Sequence, residues 1–142
     1  LVIAQKIVKR FGENLNGFVF GIWGLAFKPD TDDMREAPAI YIIKELVKRG
    51  AHIKAYDPKA IPEAKDQYLK DVKNISYVDS KYDALKESDA LVLLTEWKEF
   101  RSPDFSRIKL LLKNPIIFDG RNQYNTSDLK EIGIKYYQIG KK

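Results

Sequence analysis

Cysteine is absent from the 142 residues, which excludes a disulfide framework, a zinc–thiolate centre and a thiol nucleophile within this stretch. Histidine occurs once, at His52. It opens a short apolar run with no neighbouring serine or acid to suggest a catalytic triad, and it reads as a surface residue. No apolar run approaches the roughly 18–20 residues that a bilayer span requires. The first ten residues lack the charged start and small-residue cleavage site of a signal peptide. A soluble, cytoplasmic protein without membrane contact is therefore expected. Low-complexity tracts, linkers and internal repeats are missing as well.

What is present fits one compact domain: 44% hydrophobic, 12% aromatic and 32% charged residues, too apolar for a disordered tail. The net charge is +5, and the excess lies in residues 101–142. The basic residues there are mostly single, as in Arg101, Arg107, Lys109, Lys113 and Arg121, with only Lys141 and Lys142 adjacent. A phosphate-tracking stripe is not formed, so nucleic acid is not an expected partner. Interspersed Lys and Glu on solvated helix faces account for the balance.

The hydrophobic periodicity alternates between short apolar runs and helical stripes. Leu1, Ala4, Ile7, Val8 and Phe11 form a helical stripe over 1–11 that starts without a cap, as a helix cut in its middle would. After a turn over 14–17, residues 18–23 read as a strand apolar on both faces, as a buried parallel strand is. Pro38 suits the first turn of a helix whose face is Ile40, Ile43, Leu46 and Val47, with Gly50 as its stop. Strands are expected at 52–56, 75–78, 90–94, 116–118 and 134–139. Helices are expected near 61–69, 82–87 and 128–132, with another capped by Ser102 that carries Phe105, Ile108, Leu111 and Leu112 inward. The expected fold is α/β, a Rossmann-like doubly wound and mainly parallel sheet of about six strands with helices on both faces.

In such a sheet the ligand sits beyond the carboxyl ends of the strands, where the strand order reverses. Three loops then matter. The first, Gly21-Ile-Trp-Gly24-Leu-Ala-Phe27-Lys28-Pro29, has two glycines that permit close backbone approach. It is not G-x-G-x-x-G, because Trp23 is bulky and the helix opens ten or more residues later. Lys28 stands on this irregular loop beside an aromatic, where an ammonium can meet a phosphate or simply be solvated. The run Thr31-Asp32-Asp33-Met34-Arg35-Glu36 clusters carboxylates, but its spacing matches no metal loop, and Arg35 offers the acids an internal partner. Asp57 ends the second strand, where a ribose-binding acid often sits, yet Asp57-Pro58 is equally good turn chemistry and the turn is preferred. After strand four comes Thr95-Glu96-Trp97, and after strand five Asp119-Gly120-Arg121-Asn122. Gly120 lets the chain turn so that Arg121 faces the cleft for bidentate phosphate contact, the alternative being an Asp119–Arg121 salt bridge. Trp23, Tyr136 and Tyr137 read as packing.

The run Gly24-Leu-Ala-Phe-Lys-Pro-Asp-Thr-Asp-Asp-Met-Arg-Glu-Ala-Pro38, then Ala55-Tyr-Asp-Pro58, Leu94-Thr-Glu-Trp97, Phe100-Arg-Ser-Pro-Asp-Phe105 and Phe118-Asp-Gly-Arg-Asn122, resembles the C-terminal domain of the UDP-glucose/GDP-mannose dehydrogenase family. These blocks follow in order across nearly the whole chain, and the Thr95-Glu-Trp97 and Phe118-Asp-Gly-Arg-Asn122 blocks resemble the UDP-glucose branch more than the GDP-mannose one. The resemblance implies that residues 1–12 end an interdomain helix and that 13–142 form a UDP-sugar-binding domain. It implies an oxidoreductase that converts UDP-glucose to UDP-glucuronate with two NAD. The N-terminal domain of the same polypeptide would bind NAD and carry the catalytic cysteine. No catalytic residue, cofactor-binding residue or metal site is then expected in this stretch, which alone would be inactive. Phe27, Lys28 and Arg121 would contact the UDP-sugar, and the full-length form would be a homodimer. Asp32, Asp33, Arg35 and Glu36 would shape the loop. The alternatives are a dehydrogenase of another nucleotide sugar (a UDP-N-acetylhexosamine or GDP-mannose) and a non-catalytic nucleotide-binding module. The chain departs from the family pattern at Phe18 and Trp23, where relatives carry Lys and a small aliphatic residue, and at Ala37, a helix-cap position that some relatives fill with Ser.

Overall fold

The computed structural model describes residues 2–140; Leu1, Lys141 and Lys142, named above in the first helical stripe and the one adjacent basic pair, lie outside the described residues. Six strands build one sheet: β1 (Val19–Trp23), β2 (His52–Tyr56), β3 (Ile75–Tyr77), β4 (Ala90–Leu93), β5 (Ile116–Asp119) and β6 (Lys135–Gln138). Their order is β3-β2-β1-β4-β5-β6, and every pairing is parallel. The expected Rossmann-like doubly wound architecture is the one observed.

Alternation along β1 sets the two layers. Phe20 and Ile22 face α1 (Val2–Phe11), with the Phe11 and Phe20 rings edge to face at 5.3 Å. Gly21 and Trp23 face the opposite layer. There Trp23 stacks on Phe100 at 4.9 Å, and a side chain at position 21 would run into the Ala84 carbonyl. All of β1 from Phe20, all of β4 and all of β5 are buried, which is why their sequences read as continuous apolar runs rather than alternating ones.

The helices follow their local signals. Pro38 begins α2 (Pro38–Lys48), and Ala37 ahead of it makes no side-chain cap bond. Gly50, left-handed at φ 104°, ends it by turning the Gly50 and Ala51 amides onto the Val47 and Leu46 carbonyls. The helix expected near 61–69 is one α turn, α3 (Ile61–Glu63), running into a wider π turn (Ala64–Tyr68) closed from the Leu69 amide to the Ala64 carbonyl at 2.7 Å. That expected over 82–87 is a single 3-10 turn (Tyr82–Ala84). A second such turn, Lys98–Phe100, was not expected.

Ser102 does not cap α4 (Phe105–Leu111). The cap is Asp104, whose carboxylate accepts from the Arg107 amide. Pro103 keeps Ser102 out of helical conformation and hands the cap to the acid beyond it. The last helix, α5 (Thr126–Glu131), starts two residues earlier than its apolar pattern suggests because Asn125 caps it. Among the described residues no helix is long and apolar enough to cross a membrane.

Candidate functional site

The chain leaves β1 toward β2 and leaves β4 toward β5, so the strand order reverses between β1 and β4. The crevice this creates lies beyond Trp23 and Leu93, at the carboxyl edge. Both candidate cations stand on loops at that edge: Lys28 after β1 and Arg121 after β5. Since β4 separates these strands, they are about 10 Å apart.

The loop after β1 is held from below by one buried acid. Asp57, 3% exposed, accepts from the Leu25 and Ala26 amides on Oδ2 at 2.7 and 3.0 Å, and from the Trp97 indole at 3.1 Å. Its Oδ1 accepts from the Lys59 and Ala60 amides at 2.8 Å each, the turn role expected of Asp57-Pro58. Gly24 makes the approach possible. Its φ is 100°, its amide donates to the Tyr56 carbonyl, and its bare Cα faces Thr95. Thr95, itself buried, donates to the Ala26 carbonyl at 2.7 Å. The loops after β1, β2 and β4 thus form one hydrogen-bonded unit.

Beyond that unit the chain turns outward. Phe27 closes a small loop by donating its amide to the Asp33 carbonyl at 2.8 Å, and leaves its ring 47% exposed. Lys28 is exposed. Arg35 donates through Nε and Nη2 to the two oxygens of Asp33 at 3.1 and 3.0 Å, and these hydrogen bonds hold the Asp33 carboxyl below the usual range. Of the acids at 32–36, Asp33 shapes the loop through its pair with Arg35. Among the described residues no group of three His, Asp or Glu is placed to hold a metal ion.

On the β5 side, the Gly120 amide donates to the Leu93 carbonyl, extending the sheet ladder by one bond. Asp119 is fully buried. It accepts from the Arg121 amide at 2.8 Å, the Gln123 amide at 2.7 Å and the Tyr136 hydroxyl at 2.6 Å. The Asp119–Arg121 salt bridge is therefore not made. The Arg121 guanidinium instead donates through Nε, at 3.0 Å, and Nη2 to Oε2 of Glu96. Burial pushes the Glu96 carboxyl up, but the Arg121 hydrogen bonds, a hydrogen bond from its own backbone and the charges of Arg121 and Arg101 together outweigh it and hold it below the usual glutamate range.

A depressed folded value means that this pair adds stability fully present above the unfolded glutamate value and lost as pH falls through the folded one. Denaturation midpoints should therefore drop more steeply below about pH 4.5 for the unaltered chain than for Glu96→Gln. Parallel acid limbs would show that the pair contributes no such linkage.

A nicotinamide dinucleotide does not fit the loop after β1. The Leu25 and Ala26 amides that would cradle a pyrophosphate are turned onto Asp57, and α2 opens only at Pro38.

A family profile described as the UDP binding domain of the UDP-glucose/GDP-mannose dehydrogenase family matches residues 21–126. The chain belongs to this family. It is 42% identical over 142 residues to the UDP-glucose 6-dehydrogenase of Pseudomonas aeruginosa, covering 99% of the chain and 31% of that protein. To the UDP-glucose 6-dehydrogenase TuaD of Bacillus subtilis it is 40% identical, covering 98% and 29%. The chain thus spans about a third of the length of the curated relatives it matches. Among solved structures, the UDP-glucose dehydrogenase of the archaeon Pyrobaculum islandicum superposes with a TM-score of 0.73 at 26% identity, over 95% of this chain and 28% of that one.

The three contact candidates of this UDP-binding domain lie in two places. Phe27 and Lys28 share one loop, and Arg121 lies two strands away on the same edge without touching either. His52, read as a surface residue, is half-buried and bonds Ser76 Oγ at 3.1 Å. Trp23 and Phe18 fill space against Phe100 and Phe11, and Tyr137 stacks on Phe118 at 4.9 Å. The sequence reading missed the part played by Glu96. Its only signal was a place in the Leu94-Thr-Glu-Trp97 block, where nothing local says which base it will meet.

Proposed function

We propose that this domain recognises the nucleotide of UDP-glucose within a UDP-glucose 6-dehydrogenase, the enzyme that oxidises the C6 hydroxyl to a carboxylate by two hydride transfers to NAD. NAD and the catalytic cysteine would belong to an N-terminal domain of the same polypeptide. Residues 1–12 would end the helix leading from it, and the enzyme would work as a homodimer.

The observation that carries this reading is the presence of two cations, Lys28 and Arg121, on loops flanking the crevice of a UDP-binding-domain fold. The Arg121 guanidinium would take the diphosphate by charge-assisted hydrogen bonding, and Lys28 would add a compact ammonium. The half-exposed Phe27 ring would pack on the ligand. What this chain does for the reaction is then binding, orientation and covering of the substrate.

An NMR titration of the chain with UDP-glucose to millimolar concentration tests the proposal. Shifts are expected at Phe27, Lys28 and 119–122. Affinity should fall about 10- to 100-fold in Arg121→Ala and less in Lys28→Ala. Stronger shifts with GDP-mannose would reassign the substrate, and shifts of the same loops with NAD alone would refute the proposed role.

A further inference from the structure

Arg121 is restrained twice. Its backbone is fixed by Asp119, which takes the amides of both Arg121 and Gln123, and the left-handed Asn122 (φ 54°) completes the turn. Its side chain is fixed separately by Glu96. One carboxylate oxygen, Oε2, accepts from both Nε and Nη2, so one edge of the guanidinium is occupied. Nη1 makes no hydrogen bond to any described residue.

The other Glu96 oxygen is in an unusual state. Oε1 is buried and has no hydrogen-bond partner among the described residues. An ion pair serving stability alone would keep both oxygens wet or satisfied, because a desolvated, unpaired carboxylate oxygen is costly. Here that cost accompanies a carboxylate whose other oxygen is committed to the arginine. Buried polar atoms left unsatisfied in this way call for an explanation beyond packing.

We propose that Glu96 is a positioning residue for Arg121. By holding the Nε and Nη2 edge, it would present the Nη1 end of the guanidinium to the diphosphate of the bound nucleotide sugar. The inference rests on the reading of Arg121 as a ligand contact. A long, flexible side chain would then meet the phosphates already ordered, which raises affinity by lowering the entropy lost on binding. Contact would be end-on through Nη1, because the side-on edge is taken.

The test is UDP binding to the chain, followed by NMR, for Glu96→Ala, Glu96→Gln, Arg121→Ala and the double variant Glu96→Ala/Arg121→Ala. Glu96→Ala should weaken UDP about tenfold. Glu96→Gln should weaken it less, because its amide oxygen still accepts from the guanidinium. In the Arg121→Ala background, Glu96→Ala should have no further effect. The Arg121 Nε–Hε resonance of the ligand-free chain should move in Glu96→Ala toward the position of an unpaired arginine, and an unchanged resonance would show that Glu96 does not hold the side chain in solution and overturn the positioning role. If Arg121→Ala weakens UDP while Glu96→Ala binds normally, or if the two losses add, the positioning role is refuted and the reading of Arg121 survives. If Arg121→Ala binds UDP as well as the unaltered chain, both are refuted.

Discussion

Asp57→Ala is expected to destabilise the domain by about 3–5 kcal/mol, the upper range for a single substitution. The carboxylate is 3% exposed and accepts five hydrogen bonds, four from backbone amides and one from the Trp97 indole. Removing it leaves several of those donors buried without partners, at about 1–3 kcal/mol each where water cannot enter. Asp57→Asn should recover little. An amide offers one acceptor and places an NH2 where the carboxylate had its second oxygen, facing donors. Urea unfolding gives the total, and hydrogen exchange should locate it: the Leu25, Ala26, Lys59 and Ala60 amides should lose protection while the centre of β4 keeps it. A loss below 1 kcal/mol would mean that these loops hold together without the acid. Because the same carboxylate supports the root of the loop bearing Phe27 and Lys28, UDP affinity should fall with it.

Gly24→Ala should cost about 3 kcal/mol or more, from two separable sources. The first is backbone conformation. At φ 100° an L side chain is strained by about 1–2 kcal/mol. The second is space: a Cβ at this position would lie 2.6 Å from the Thr95 amide nitrogen, so the loops after β1 and β4 would have to separate, straining the Thr95-to-Ala26 hydrogen bond. Crowding of that kind typically adds 1–3 kcal/mol, as an order of magnitude. Gly12 provides the control. Its φ is 101°, but nothing lies within 4 Å of its would-be Cβ, so Gly12→Ala should show the conformational cost alone. Equal losses at the two glycines would eliminate the packing contribution at the switch point.

Most of the fold was legible because its signals are short-range. β2 was read with its observed limits and β1 to within one residue, since an apolar run between turn residues constrains both type and length. Where the reading slipped, a capping side chain or a change of helical type decided the outcome. Asp104 displaced Ser102, Asn125 started α5 early, and the segment after Ile61 widened into a π turn. Hydrophobic periodicity does not register such events, because a capping side chain is polar and lies outside the apolar stripe, and a single π or 3-10 turn is too short to set a period of its own.

The candidate site divides along the same line. The residue string by itself determined the doubly wound sheet, the three loops at its carboxyl edge, and the candidates Phe27, Lys28 and Arg121. Alternation, turn chemistry and motif order are properties of neighbours along the chain. Which acid meets which base was decided only by the tertiary structure. Asp119 is the nearer acid to Arg121 in sequence, yet it serves two amides and the Tyr136 hydroxyl, and Glu96 takes the guanidinium. Asp57 likewise reaches Leu25 and Trp97, 32 and 40 positions away. A carboxylate's partner depends on strand order and on the donors left unpaired where the sheet ladder ends, and both exist only once the six strands are assembled.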